Sequence, residues 1–99
     1  MDLYMIRRND GWKTGEELDA AAKRSSEVAE SDFPEDIRWI RSYVVSEPSG
    51  DLGTVCIYEA SSPEAVRAHA DKVGMPASEV LSIVDTVIVR PDPQPAEAA

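Results

Sequence analysis

Residues 37–60 read IRWIRSYVVS EPSGD LGTVCIYEA, and this stretch decides the fold. Ile37–Ser46 alternates with a period of two and contains the Ile, Trp, Tyr and Val residues that favour strands. Residues 47–51 contain Pro, Ser and Gly and are typical of a turn. Leu52–Ala60 repeats the strand composition. The stretch therefore predicts an antiparallel β-hairpin.

Helical patterns stand on both sides of this hairpin. Upstream, Thr14 and Glu17 have the spacing of a capping box, and the apolar period that follows predicts a helix ending near Glu30. Downstream, Ser62 precedes a proline, and a second helical pattern runs on until Gly74. The hairpin is therefore expected to lie between two helices.

A strand is predicted at each end of the domain, over residues 3–8 (LYMIRR), ended by NDG at 9–11, and over 83–90 (IVDTVIVR). The order β-α-β-β-α-β is typical of the ferredoxin-like α+β fold, in which a four-stranded antiparallel sheet carries both helices on one face. We therefore expect one domain over residues 1–90. Residues 91–99 (PDPQPAEAA) are rich in Pro, Ala and Glu and are expected to form a disordered tail.

The charge of the chain argues against two classes of binding partner, nucleic acids and anionic membranes. The formal net charge is −9 at pH 7, and nucleic acids and anionic membranes are bound through patches of Lys and Arg, so neither partner is expected. Cys56 is the single cysteine, so an intrachain disulfide cannot form. The sequence has neither a signal-peptide pattern nor a long apolar run, and we expect a cytoplasmic location.

One face of the predicted sheet carries large aromatic residues beside polar ones. Because residues two apart share a face of a strand, the alternation places on the face away from the helices Trp39, Arg41, Tyr43, Cys56, Tyr58 and Asp85. Such a face is too apolar to remain in water. We therefore expect a homodimer packed sheet against sheet, as in a dimeric α/β-barrel-like assembly.

A ligand cavity between the two sheets is an alternative use of the same face. The chain would then be a small-molecule-binding protein or a cofactor-independent enzyme of the isomerase, cyclase or monooxygenase type. Within this face a buried Asp85 would need a partner, and Arg41 is the expected one.

Four blocks of sequence resemble a known family, and they are residues 37–44 (IRWIRSYV), 56–60 (CIYEA), 63–70 (PEAVRAHA) and 74–77 (GMPA). In this order and spacing, over about residues 2–90, the chain resembles the nickel-binding (nickel-responsive) ferredoxin-like family of small bacterial proteins. The resemblance implies a homodimeric ferredoxin-like protein able to bind nickel, and a binding protein rather than an enzyme.

His69 is the single histidine and hence the main candidate for the nickel ligand that the resemblance implies. It lies on the second predicted helix, beside the apolar stripe. A strong Ni(II) site needs several nitrogen or oxygen donors, so we expect a weak site with water in the remaining positions. Two residues depart from the family pattern: Arg7 stands where the family has an acidic residue, and Arg41 where it has a histidine.

Overall fold

The described part of the chain, residues 1–93 of a computed structural model, forms one four-stranded sheet with two helices. The elements are β1 (Asp2–Trp12), α1 (Gly15–Asp32), β2 (Ile37–Ser46), β3 (Leu52–Ala60), α2 (Pro63–Val73) and β4 (Glu79–Ser82). The sheet is antiparallel throughout, in the order β2-β3-β1-β4. This arrangement confirms the ferredoxin-like α+β fold. The predicted disorder of residues 94–99 lies outside the described residues.

Both helices begin at the capping residues that the sequence predicts. The Thr14 hydroxyl accepts a hydrogen bond from the amide of Glu17 at 3.2 Å, and Ser62 caps α2 in the same way. Gly74 ends α2 with a φ of 85°, a left-handed conformation that favours glycine. The first helix continues to Asp32, a little beyond its predicted end. Within residues 1–93, neither helix has the length and apolar character of a membrane span.

The first strand is longer than predicted, because the NDG sequence bends it without ending it. The pairing of β1 with β3 shifts register between Arg8 and Trp12, and Asp10 lies in this irregular stretch with a φ of 51°. The strand then resumes, with Trp12 opposite Leu52. Four residues of β1 thus stand against two of β3, and such an irregularity bends the strand locally while keeping the two strands together.

The prediction of a last strand over residues 83–90 is wrong. The strand β4 ends at Ser82, opposite Tyr4, and the Ile83 amide then donates to the carbonyl of Leu3 at 3.0 Å. Because β4 runs antiparallel to β1, it reaches the beginning of β1 there and has almost no strand left to pair with. The strand-forming sequence beyond this point continues without a ladder partner in the described part of the chain.

The hydrophobic core lies between the two helices and one side of the sheet. From the two central strands, alternate residues point into it, including Ile6 of β1 and Tyr58 of β3. The buried cluster comprises Tyr4, Ile6, Ala29, Ile37, Cys56, Tyr58, Ala60 and Val66. The side of the sheet that carries the helices is called the helix side below, and the opposite side is called the open face.

Candidate functional site

The structure divides the predicted face residues between the two sides of the sheet. Cys56 and Tyr58 are 4% and 1% exposed, and the Tyr58 hydroxyl lies 3.2 Å from the Ser25 hydroxyl of α1. Both residues therefore belong to the helix side, and their predicted place on the free face is wrong. Arg41 and Tyr43 pair with Ile57 and Val55, which alternate with Cys56 along β3, so both lie on the open face.

A β-bulge in β2 moves Trp39 away from Arg41. Trp39 pairs with Tyr58 and Arg41 pairs with Ile57, so β2 advances by two residues while β3 advances by one. Trp39 consequently faces the helix side, where its ring stacks on Tyr58 with 6.2 Å between the centroids. An uninterrupted period of two would put both β2 residues on one face, which is why the sequence alone misplaces Trp39.

Asp92 binds two polar residues of the open face, Arg41 and Tyr43. Its carboxylate lies 3.0 Å from the Arg41 guanidinium and accepts a hydrogen bond from the Tyr43 hydroxyl at 2.9 Å. The predicted Arg41–Asp85 pair is absent from residues 1–93, where Asp85 accepts instead from the amide of Thr86 at 2.8 Å. Composition assigns Asp92 to a tail, so its pairing with β2 has no signal in the sequence.

Residues 84–89, called the C-terminal arm below, present apolar side chains to solvent. Val84 is 95% exposed, and the other large apolar residues of the arm, Val87, Ile88 and Val89, are 74–85% exposed. A groove of about 720 Å³ separates the arm from the open face. Arg41, Tyr43 and Asp85 line this groove, so the structure brings these three predicted residues together even though the ion pair is not formed.

A second cavity, of about 400 Å³, lies on the helix side between α1 and the sheet. Trp12, Trp39 and Tyr58 contribute aromatic surface to its walls. Polar groups of the sheet in its walls come from Arg8, Thr54, Arg41 and Ser42, and the first two are opposite one another in the pairing of β1 with β3. A mostly apolar cavity with a few fixed polar groups is the usual form of a small-molecule site.

Arg8 is a residue that the sequence reasoning missed. Its side chain is 1% exposed, its Nη1 donates to the carbonyl of Pro76 at 2.7 Å, and its Nη2 is buried with no hydrogen-bond partner within residues 1–93. The guanidinium carbon lies 5.8 Å from the centre of the Tyr58 ring. The signal was available, because Tyr4, Ile6 and Arg8 alternate along one strand and the first two are core residues.

His69 is fully buried on the inner side of α2. Its Nε2 lies 3.0 Å from the carbonyl oxygen of Ser25, which can only accept, so Nε2 carries the proton. Its Nδ1 has no hydrogen-bond partner within residues 1–93. Burial, and to a smaller extent the charge of Arg8, lower the pKa of His69 below its ordinary value and so favour the neutral imidazole.

Residues 1–93 of one chain do not fit a preformed Ni(II) site. No group of three or more His, Cys, Asp or Glu residues within residues 1–93 is arranged to hold a metal ion. The free Nδ1 of His69 offers one lone pair, whereas a strong site needs several donors around the metal. The assignment of His69 as the main nickel ligand stays a prediction.

Comparison with known proteins identifies the family to which the chain belongs. A family model described as "Nickel responsive protein SCO4226-like" matches residues 4–83. Among solved structures, the chain is similar to SCO4226 from Streptomyces coelicolor A3(2), with 20% sequence identity and a TM-score of 0.67. The match covers 86% of this chain and 99% of that chain, and it shows the shared fold. A search of curated proteins finds no match. The chain belongs to the nickel-responsive SCO4226-like family.

Proposed function

We propose that this chain is a homodimeric binding protein that takes part in a response to nickel and binds Ni(II) weakly. Membership of the nickel-responsive family supports the link to the metal. The observation that carries the dimer is the C-terminal arm, whose apolar side chains are 74–95% exposed in one chain. Contiguous apolar surface of this kind marks an interaction site.

A second copy of the chain is the occupant that suits the arm. The arm contains the β-branched run Thr86-Val87-Ile88-Val89, which favours a strand but has no strand beside it within residues 1–93. It follows β4, an edge strand whose outer side pairs with no strand within residues 1–93. Two copies related by a twofold axis would each supply a strand and an apolar open face to the other.

Nickel binding is limited by the donors that the chain provides. His69 is the proposed protein nitrogen because its Nδ1 lone pair is unused within residues 1–93. The same ring is fully buried, so Ni(II) would reach it only after local opening around α2. The proposal is therefore a dissociation constant in the micromolar range or weaker, with water completing the coordination.

Titration calorimetry with Ni(II) tests this assignment. We expect weak binding by the unmodified protein and its loss in His69→Gln, whereas Asp71→Asn, an exposed change on the same helix, should bind as the unmodified protein does. Equal binding by His69→Gln would clear His69 of this role. Nanomolar binding would contradict the proposal of a sparse site.

A second candidate function is the binding of an organic molecule between the sheets of the dimer. The observation that favours it is the groove of about 720 Å³, which Arg41, Tyr43 and Asp85 line together. A dimer would cover this groove and leave its polar groups facing an enclosed ligand, as in the isomerase, cyclase or monooxygenase class. Native mass spectrometry tests it, because an organic adduct on the dimer would favour this function and a bare dimer that binds only Ni(II) would exclude it.

A further inference from the structure

The helix-side cavity contains a positive charge that the described chain does not neutralise. Arg8 is 1% exposed, and arginine remains protonated in proteins at any ordinary pH. The ion pairs within residues 1–93 join Arg7 to Glu47, Arg38 to Glu59, Arg41 to Asp92 and Lys72 to Asp32, and none involves Arg8. Buried charges are normally paired, because removing an ion from water is costly.

The local contacts of Arg8 compensate the charge only in part. One nitrogen donates to the Pro76 carbonyl and the guanidinium lies near the Tyr58 ring, but Nη2 donates to no group within residues 1–93. Asp19, an acidic residue lining the cavity, is exposed on α1 and lies outside ion-pair distance. The cavity is therefore lined by an arginine whose charge is balanced by no ion pair within residues 1–93.

Thr54 provides a hydroxyl group in the wall of the same cavity. It is 3% exposed, lines the same cavity and is the cross-strand neighbour of Arg8. Its hydroxyl oxygen accepts from the Cys56 thiol at 3.3 Å, so its own proton is left to donate. A guanidinium and a hydroxyl that line one cavity suit a carboxylate, because its oxygens accept from both kinds of donor.

The remaining walls of the cavity are mostly apolar, so they favour a ligand whose carboxylate is attached to an apolar group. Trp12, Trp39 and Met75 line it, and Trp39 is stacked on Tyr58 to form one broad aromatic wall. A volume of about 400 Å³ is within the range of small-molecule sites. A strongly hydrated inorganic anion would leave this apolar wall without a partner.

We propose that the helix-side cavity binds an organic carboxylate with a flat apolar body, whose carboxylate is held by the Arg8 guanidinium and the Thr54 hydroxyl. The site lies on the helix side of the sheet, and it shares only Ile40 and Arg41 of β2 with the lining of the open-face groove. It would neutralise the buried charge of Arg8, so occupancy should stabilise the folded protein.

Intrinsic fluorescence provides a direct measurement, because both tryptophans of the chain, Trp12 and Trp39, line this cavity. Benzoate is the probe, benzamide is its neutral isostere, and inorganic phosphate tests for a general anion site. We expect saturable benzoate binding, with benzamide at least about tenfold weaker because it lacks the charge-assisted hydrogen bond. Equal binding of benzoate and benzamide, or no saturation with benzoate, would overturn the proposal.

Three variants distinguish a loss of ligand binding from a loss of folding. Arg8→Met and Thr54→Val should each weaken benzoate binding, the first by about tenfold or more. Arg38→Met, which removes an exposed arginine outside this cavity, should leave it unchanged. Unchanged binding in a folded Thr54→Val protein would contradict the proposed role of the hydroxyl even if Arg8→Met failed to fold. Phosphate bound as tightly as benzoate would contradict the selection of an organic body.

Discussion

Arg7 and Glu47 form an ion pair with 2.8 Å between guanidinium nitrogen and carboxylate oxygen, in the space beside Gly53. The Glu47 carboxylate also accepts from the amide of Asp10, so it joins the hairpin turn to the irregular part of β1. The hydrogen bond from Arg7 is the largest cause that lowers the pKa of Glu47, and the bond from the Asp10 amide adds to it. The arrangement needs the open space that glycine leaves at position 53.

Substitution of Gly53 by alanine should destabilise the protein. An added Cβ would lie 2.7 Å from the backbone carbonyl oxygen of Arg8 and would collide with the Glu47 carboxylate. Overpacking against backbone typically costs about 1–3 kcal/mol in the free energy of unfolding. Urea denaturation of Gly53→Ala measures this cost. The control is Gly15→Ala, where an added Cβ meets nothing within 4 Å and stability should not fall. Equal stability of the two variants would contradict this account of Gly53.

The stability of the protein should fall as the pH is lowered through the histidine range. Burial is the main cause that lowers the pKa of His69 from its ordinary value of 6.5, so the unfolded chain takes up a proton more readily than the folded one. The free energy of unfolding therefore decreases below about pH 6.5, by at most about 1.4 kcal/mol per pH unit for one proton.

Urea denaturation between pH 7.5 and 5.5 isolates this effect. Glu47, whose lowered pKa also stabilises the folded state, begins to lose its contribution only as the pH falls toward its ordinary value of 4.5, below this window. His69→Gln should have a flatter profile than the unmodified protein, whatever its absolute stability. Parallel profiles would show that His69 is not the titrating group.

Local sequence signals predicted most of the fold because they act over a few residues. The capping residues Thr14 and Ser62 and the hairpin β2–β3 lie where the sequence indicates. The face assignment failed at Trp39, where a bulge interrupts the period of two. It also failed at Tyr58, because a large aromatic residue with a satisfied hydroxyl filled the core in place of the smaller aliphatic residues.

Apart from Arg8, the candidate sites depended on contacts between residues far apart in the sequence. The strand β4 ends where its partner β1 begins, and this pairing joins residues that are distant in the sequence. The strand-forming residues that follow β4 therefore form the exposed C-terminal arm. Arg8 was the residue with a local signal, since it continues the buried alternation of Tyr4 and Ile6. A charged residue in a buried alternation is therefore worth treating as a candidate site from the sequence onward.

Removal of residues 92–99 should change the melting temperature by no more than about two degrees. The contacts described for this segment join Asp92 to Arg41 and Tyr43, and these side chains are about half exposed, where ion pairs contribute little. Differential scanning calorimetry of the shortened chain measures the change. Removal of residues 94–99 alone, which keeps Asp92, serves as the control. A larger loss on removing 92–99 would mean that the segment contributes to packing.

The C-terminal arm should control the association of two chains. Val87→Lys places a charge on a side chain that the proposed interface buries, so the dimer should dissociate. Ala20→Lys, the same change at an exposed position on α1, should leave the dimer intact. Sedimentation velocity of both variants at one concentration makes the comparison. Identical sedimentation of the two would remove the arm from the interface.

The mass of the unmodified protein in solution tests the central claim, that two copies complete each other through the C-terminal arm and the open face. Multi-angle light scattering at micromolar concentration should give twice the chain mass of 10.8 kDa. The apolar surface of the arm supports this expectation, because its burial contributes about 25 cal/mol per Å². A mass of 10.8 kDa, unchanged as the protein is concentrated, would contradict the account.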